Sequence, residues 1–158
     1  LPDDLMIGRP GALKQMVDAY ADLGGNIVCA QEVPADKTGS YGIITPGKTE
    51  GAATEVLGLV EKPKPADAPS RLGVVGRYIL QPEVMGILGR GERGAGGEIQ
   101  LTDGMAQLIG KQPFHALKVD AVRHDCGDKA GYVIANLAIA LGRDDLRPKI
   151  EEFLASRG

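Results

Sequence analysis

The sequence predicts an α/β protein, and three observations carry that expectation. Helical periodicity passes directly into a short β-rich run, most clearly where "PGALKQMVDAYADLG" (10–24) leads into "NIVCAQEV" (26–33). The chain is 43% hydrophobic but only 4% aromatic and has no tryptophan, so its core has to be built from Val, Ile, Leu and Ala. Twenty-three glycines and ten prolines supply the many turns that a layered arrangement needs. At 158 residues, with no repeat, low-complexity segment or long linker, residues 1–158 are expected to form a single domain.

The elements follow in order. Leu13, Met16, Val17 and Tyr20 fall at i, i+3, i+4 and i+7, with Pro10 near the start and Gly24 and Gly25 as the stop, which predicts a helix with one apolar face. Residues 26–33 then read as a strand. "YGIIT" (41–45) and "TEVLGLVEKP" (54–63) are expected to pair, with the chain reversing at Pro46-Gly47. "RLGVVGRYIL" (71–80) is a further strand, and Pro82 opens a helix presenting Val84, Met85 and Leu88. The glycine-rich stretch 89–98 is a loop, after which Ile99, Met105, Leu108 and Ile109 resume helical spacing. "FHALKVDAVRHD" (114–125) alternates as one strand, and helices follow over about 129–141 and 146–157.

Charge and composition exclude several classes. A formal charge of -3 and a pI near 5.4 provide no basic field, so no nucleic-acid partner is expected, and any anion site must be made locally from Lys or Arg. Cys29 and Cys126 fit neither a C-x-x-C nor a zinc spacing and read as reduced thiols. No apolar run approaches the length of a membrane span, and the start has no secretory leader pattern, so no membrane partner and a cytoplasmic location are expected.

Three stretches offer chemistry. In "LVEKPKP" (59–65) a strand ends at Glu61-Lys62, and Pro63 is expected to hold Lys62 extended, pointing away from Glu61. That arrangement suits a polyol and a phosphate, although spacing alone favours a charged strand exit into a surface loop. In "RHDCGDKAGY" (123–132) Asp125 closes a strand, Gly127 permits a tight turn and Asp128 has the position of a helix N-cap. His115 and His124 lack partners at ligand spacing and read as strand residues. In "LPDD" Asp3 and Asp4 are either a polar terminus or, for Asp3 together with Asp125, carboxylates for a hard cation. "GAGG" (94–97) lacks the ending of a Walker loop and reads as a surface turn.

Taken in order, "LPDD", "YGII", "VEKPKP", "VVGRYIL", "GAGGEIQLTDG" and "HDCGDKAGY" resemble the bacterial UTP–glucose-1-phosphate uridylyltransferases, also called UDP-glucose pyrophosphorylases. The resemblance implies a nucleotide-diphospho-sugar transferase fold, a Rossmann-like mixed sheet flanked by helices. It also implies Mg²⁺-dependent formation of UDP-glucose and pyrophosphate from UTP and glucose 1-phosphate, by a homo-oligomer when full-length. By position, Asp3 and Asp125 correspond to the metal carboxylates, Glu61 to the residue that takes the glucose hydroxyls and Lys62 to the one that neutralises the sugar phosphate. Gly42 corresponds to the point where the backbone approaches the sugar. A family loop of the type G-x-G-T-R-x-x-P-x-T-K, which would hold the nucleotide, is missing from the sequence. The expectation is therefore a C-terminal portion, inactive by itself, of an enzyme of this kind. The alternatives are an enzyme using another nucleotide such as dTTP, or a non-catalytic module for sugar-phosphate binding or oligomerisation.

Overall fold

The computed structural model describes residues 1–157, the side chain of Ala95 excepted. Its elements run β1 (Asp4–Ile7), α1 (Ala12–Leu23), β2 (Asn26–Glu32), β3 (Gly42–Glu50), β4 (Ala53–Glu61), β5 (Leu72–Ile79), α2 (Glu83–Leu88), α3 (Leu101–Ala106), β6 (Phe114–Leu117), β7 (Val122–Asp125), α4 (Lys129–Leu141) and α5 (Arg147–Ala155). They fall into two compact units, one spanning Arg9–Asp120, the other formed by Leu1–Gly8 and the chain from Ala121 onward.

In the larger unit the strands close into a ring in the order β2-β5-β3-β4-β6, with β6 returning to β2. The β2–β6 pair is parallel and the other pairs are antiparallel, so the sheet is mixed, as the family resemblance implies. Residues Asn26 to Ala30 of β2 are all buried, which is why this strand reads as a continuous apolar run and not an alternation. Val28, Ala30, Ile44, Val56, Val74, Phe114 and Ala116 from the strands join Val84 of α2 and Met105 of α3 in one apolar core. Asn26 is a buried polar residue at the start of β2 and is hydrogen-bonded on both ends of its amide. Its Nδ2 donates to Gln112 Oε1 at 3.0 Å and its Oδ1 accepts from the Gln81 backbone N–H at 2.8 Å.

In the smaller unit β1 and β7 pair antiparallel, α4 packs on β7 and α5 on α4. Asp128 caps α4, its Oδ2 accepting from the Gly131 N–H at 2.8 Å, as its sequence position predicts.

Several expectations are corrected. The β3–β4 hairpin does not reverse at Pro46-Gly47. Pro46 is absorbed where the register shifts, β3 runs on to Glu50, and the turn is made at Gly51, which takes φ +60°. Residues 114–125 are not one strand but two, in different sheets. Gln15 of α1 explains the break: its Nε2 donates to Asp120 O at 3.0 Å and its Oε1 accepts from the Asp120 N–H at 2.8 Å, occupying both groups a continuing strand would pair. On α1 only Ala12 and Met16 are buried, leaving Leu13, Val17 and Tyr20 exposed, and Met85 and Ile99 are exposed as well. Among the described residues no helix is long and apolar enough to cross a membrane, and Cys29 and Cys126 are free thiols.

Candidate functional site

Three of the residues singled out in the sequence lie together in the barrel unit. Gly42 opens β3 and stands opposite Glu61, the last residue of β4. A Cβ at Gly42 would sit 3.2 Å from Glu61 Oε2 and 3.1 Å from Thr102 Oγ1, so the bare backbone here leaves room for a carboxylate and a hydroxyl. Lys62 departs from expectation. It is not extended but takes φ +46°, the left-handed region, and is the one non-glycine residue to do so among those described. Its N–H still donates to Tyr41 O at 3.0 Å, so the ladder ends there and the turn that buries Pro63 is made at Lys62 itself. The turn also overturns the opposed side chains: Lys62 Nζ lies 3.5 Å from Glu61 Oε1. Glu61 is largely buried and Lys62 half exposed, an anchored acceptor beside a cation that water and ligand can reach.

The smaller unit brings Asp3 and Asp125 together. Asp125 ends β7, paired with Asp4 of β1, and Asp3 immediately precedes that strand. The Cys126 N–H donates to Asp3 O at 2.8 Å and the Gly127 N–H to Asp125 Oδ1 at 3.0 Å, which folds the turn after β7 back over the start of β1. A Cβ on Gly127 would stand 3.0 Å from Asp3 Oδ2 and 3.2 Å from Asp125 Oδ1; both carboxylates border the same small space. Gly131 performs a related service in α4, where a Cβ would meet the Asp125 carbonyl oxygen at 2.0 Å, so the helix can start directly against the strand end.

Two like charges at one place favour a cation, and an all-oxygen pair suits a hard one such as Mg²⁺, which takes one or two carboxylates and completes its shell with phosphate oxygens and water. Asp3 and Asp125 contribute two carboxylates to this space, and among the described residues no group of three or more His, Cys, Asp or Glu is placed to hold a metal ion. His115 lies in β6 and His124 in β7, as expected.

Sequence reasoning missed Thr102, which belongs to "LTD" and was used there only as part of a resemblance. It also missed the pairing of Asp4 with Arg123. Asp4 is 4% exposed and its Oδ1 accepts from Arg123 Nε at 2.5 Å; the second arm of the guanidinium, Nη2, lies 3.6 Å from Asp125 Oδ2. The signal was present as spacing: Arg123 and Asp125, two apart on a strand, share a face.

The nucleotidyl transferase family profile matches residues 1–140. A UTP–glucose-1-phosphate uridylyltransferase of Komagataeibacter xylinus is 50% identical over 129 residues, which cover 82% of this chain and 45% of that protein. One from Bacillus subtilis is 40% identical over 154 residues, 98% of this chain and 52% of the relative. The chain thus spans about half the length of the curated relatives it matches. Among solved structures, a UDP-glucose pyrophosphorylase complexed with UDP-glucose superposes with a TM-score of 0.85 at 37% identity, covering 90% of this chain and 55% of that one. The UTP-bound UGPase of Acinetobacter baumannii gives a TM-score of 0.82 at 30% identity over 98% of this chain and 54% of its own.

Proposed function

The chain belongs to the nucleotidyl transferase family, and on that premise we propose that the protein carrying it makes UDP-glucose and pyrophosphate from UTP and glucose 1-phosphate. The observation that carries this reading is the meeting of Asp3 and Asp125 beside Gly127, in a chain 50% identical to a uridylyltransferase.

In this reading a phosphate oxygen of glucose 1-phosphate attacks the α-phosphorus of UTP. A new P–O bond forms, the α–β anhydride bond breaks and pyrophosphate leaves with its electron pair. The nucleophile is already ionised, so no general base is required, and the main barrier is the approach of two anions. Lys62 supplies a point charge to the sugar phosphate, and its neighbour Glu61 accepts hydrogen bonds from glucose hydroxyls. Gly42 lets these groups be approached without a side chain in the way. Asp3 and Asp125 would hold Mg²⁺, which when bound offsets negative charge on the phosphates.

The test is pyrophosphate release and UDP-glucose formation with UTP, glucose 1-phosphate and MgCl₂. Lys62→Ala is expected to lower kcat/KM by about 10²- to 10³-fold, the loss typical of removing one group that stabilises transition-state charge. Equal use of dTTP and UTP in competition overturns the uridylyl assignment, and an unimpaired Lys62→Ala enzyme overturns the role of Lys62.

A further inference from the structure

The Asp4–Arg123 pair lies beneath Asp125, and its geometry is not that of a simple surface salt bridge. In the β1–β7 register Asp4 stands opposite Asp125, and Arg123 is two residues from Asp125, so all three side chains leave the same face of the ribbon. Their exposures are graded: the Asp4 side chain is 4% exposed, Arg123 13% and Asp125 47%. Arg123 therefore has one arm anchored in a nearly dry environment, Nε to Asp4 Oδ1 at 2.5 Å, and the other directed outward at Asp125. At 3.6 Å this second contact is too long for a hydrogen bond and acts through charge and shape. Asp125 Oδ1 is meanwhile held by the Gly127 N–H. One oxygen of Asp125 is thus fixed by backbone and the other faces a guanidinium that is itself immobilised.

A lone arginine beside a cation site would repel the cation. Here Asp4 cancels its charge locally, so what the pair adds at Asp125 is placement with little net field. We propose that Asp4 and Arg123 are positioning residues that hold the Asp125 carboxylate in its cation-binding orientation. This rests on the reading of Asp3 and Asp125 as metal carboxylates. Groups that orient metal-binding carboxylates typically change metal affinity by about 10- to 100-fold when replaced.

The probe is Mn²⁺ alone, its dissociation constant measured by electron paramagnetic resonance, with thermal unfolding recorded for every variant. The double variant Asp4→Leu/Arg123→Met leaves the net charge unchanged and strands neither ion, so it is better tolerated than either single removal. Arg123→Lys is the second variant: it keeps the charge but has no fork to span two carboxylates. In both, Mn²⁺ is expected to bind at least about 10-fold more weakly, while folding is retained. Wild-type affinity in either folded variant overturns the positioning role, provided that Asp125→Asn still abolishes binding. If Asp125→Asn binds Mn²⁺ as the wild type does, the metal reading fails, and this inference fails with it.

Discussion

Lys62 combines its proposed role at the sugar phosphate with an unfavourable backbone. A left-handed conformation costs a non-glycine residue about 1–2 kcal/mol, and here it is what turns the chain out of β4 and sets Nζ near Glu61. Such strain is tolerated where function requires the geometry. Lys62→Gly relieves the strain and removes the ammonium, whereas Lys62→Ala removes the ammonium and keeps the strain. The glycine variant is accordingly expected to be as stable as the wild type or more stable by up to about 1 kcal/mol in urea unfolding, with the same loss of activity as the alanine variant. A clear destabilisation would show that Lys62 holds the turn by contacts and not against its own preference. The sequence could not reveal this conformation. Pro63 predicts an extended predecessor, whereas in the fold Lys62 turns left-handed and Pro63 is buried.

At the scale of elements, the junction of β7 and α4 has the least slack. α4 starts against the end of β7 because Gly131 has no side chain to meet the Asp125 carbonyl. Gly131→Ala forces a methyl to within 2.0 Å of that backbone oxygen, which cannot swing aside as a side chain would. The expected result is a loss of about 1–3 kcal/mol in stability and a weakened Mn²⁺ site, read from denaturant unfolding and resonance titration of the same sample; unchanged values in both would show that α4 can move outward freely. Farther along, the exposed Arg143 guanidinium donates to Asp145 from Nε at 3.0 Å and Nη2 at 2.7 Å and holds that carboxyl below the usual carboxylate range. A depressed carboxyl contributes stability above its unfolded value and loses it as pH falls through the folded one, but solvent screens this pair. Helical periodicity made α1 legible and the β-rich composition of 26–33 made its strand legible, while α4 was expected without a clear apolar stripe, with Asp128 at the position of its cap. The sequence pattern did not show the division of 114–125, because the chain there reads as one alternating run and the residue that meets Asp120 at the break, Gln15, is about a hundred residues away.

Over the whole molecule, burial is unevenly shared. Strands β2, β3 and β5 carry fully or nearly fully buried residues such as Ile27, Ile43 and Val75, whereas α5 has no buried residue and α4 only Ala135. Hydrogen exchange should therefore be slowest in these strands and faster by orders of magnitude in α5, since opening energies follow buried contacts; uniform protection in mass-spectrometric exchange would contradict this. The resemblance to uridylyltransferases, confirmed by relatives at 40% and 50% identity, was legible in short motifs whose order is a property of the chain alone. The α/β class was legible too, because amphipathic period and turn residues act over a few positions. Ring closure of the sheet, the left-handed turn at Lys62 and the placing of Arg123 between Asp4 and Asp125 were decided only in the tertiary structure. Each goes with strand register or with burial, and neither quantity exists until residues far apart in the chain are brought into contact.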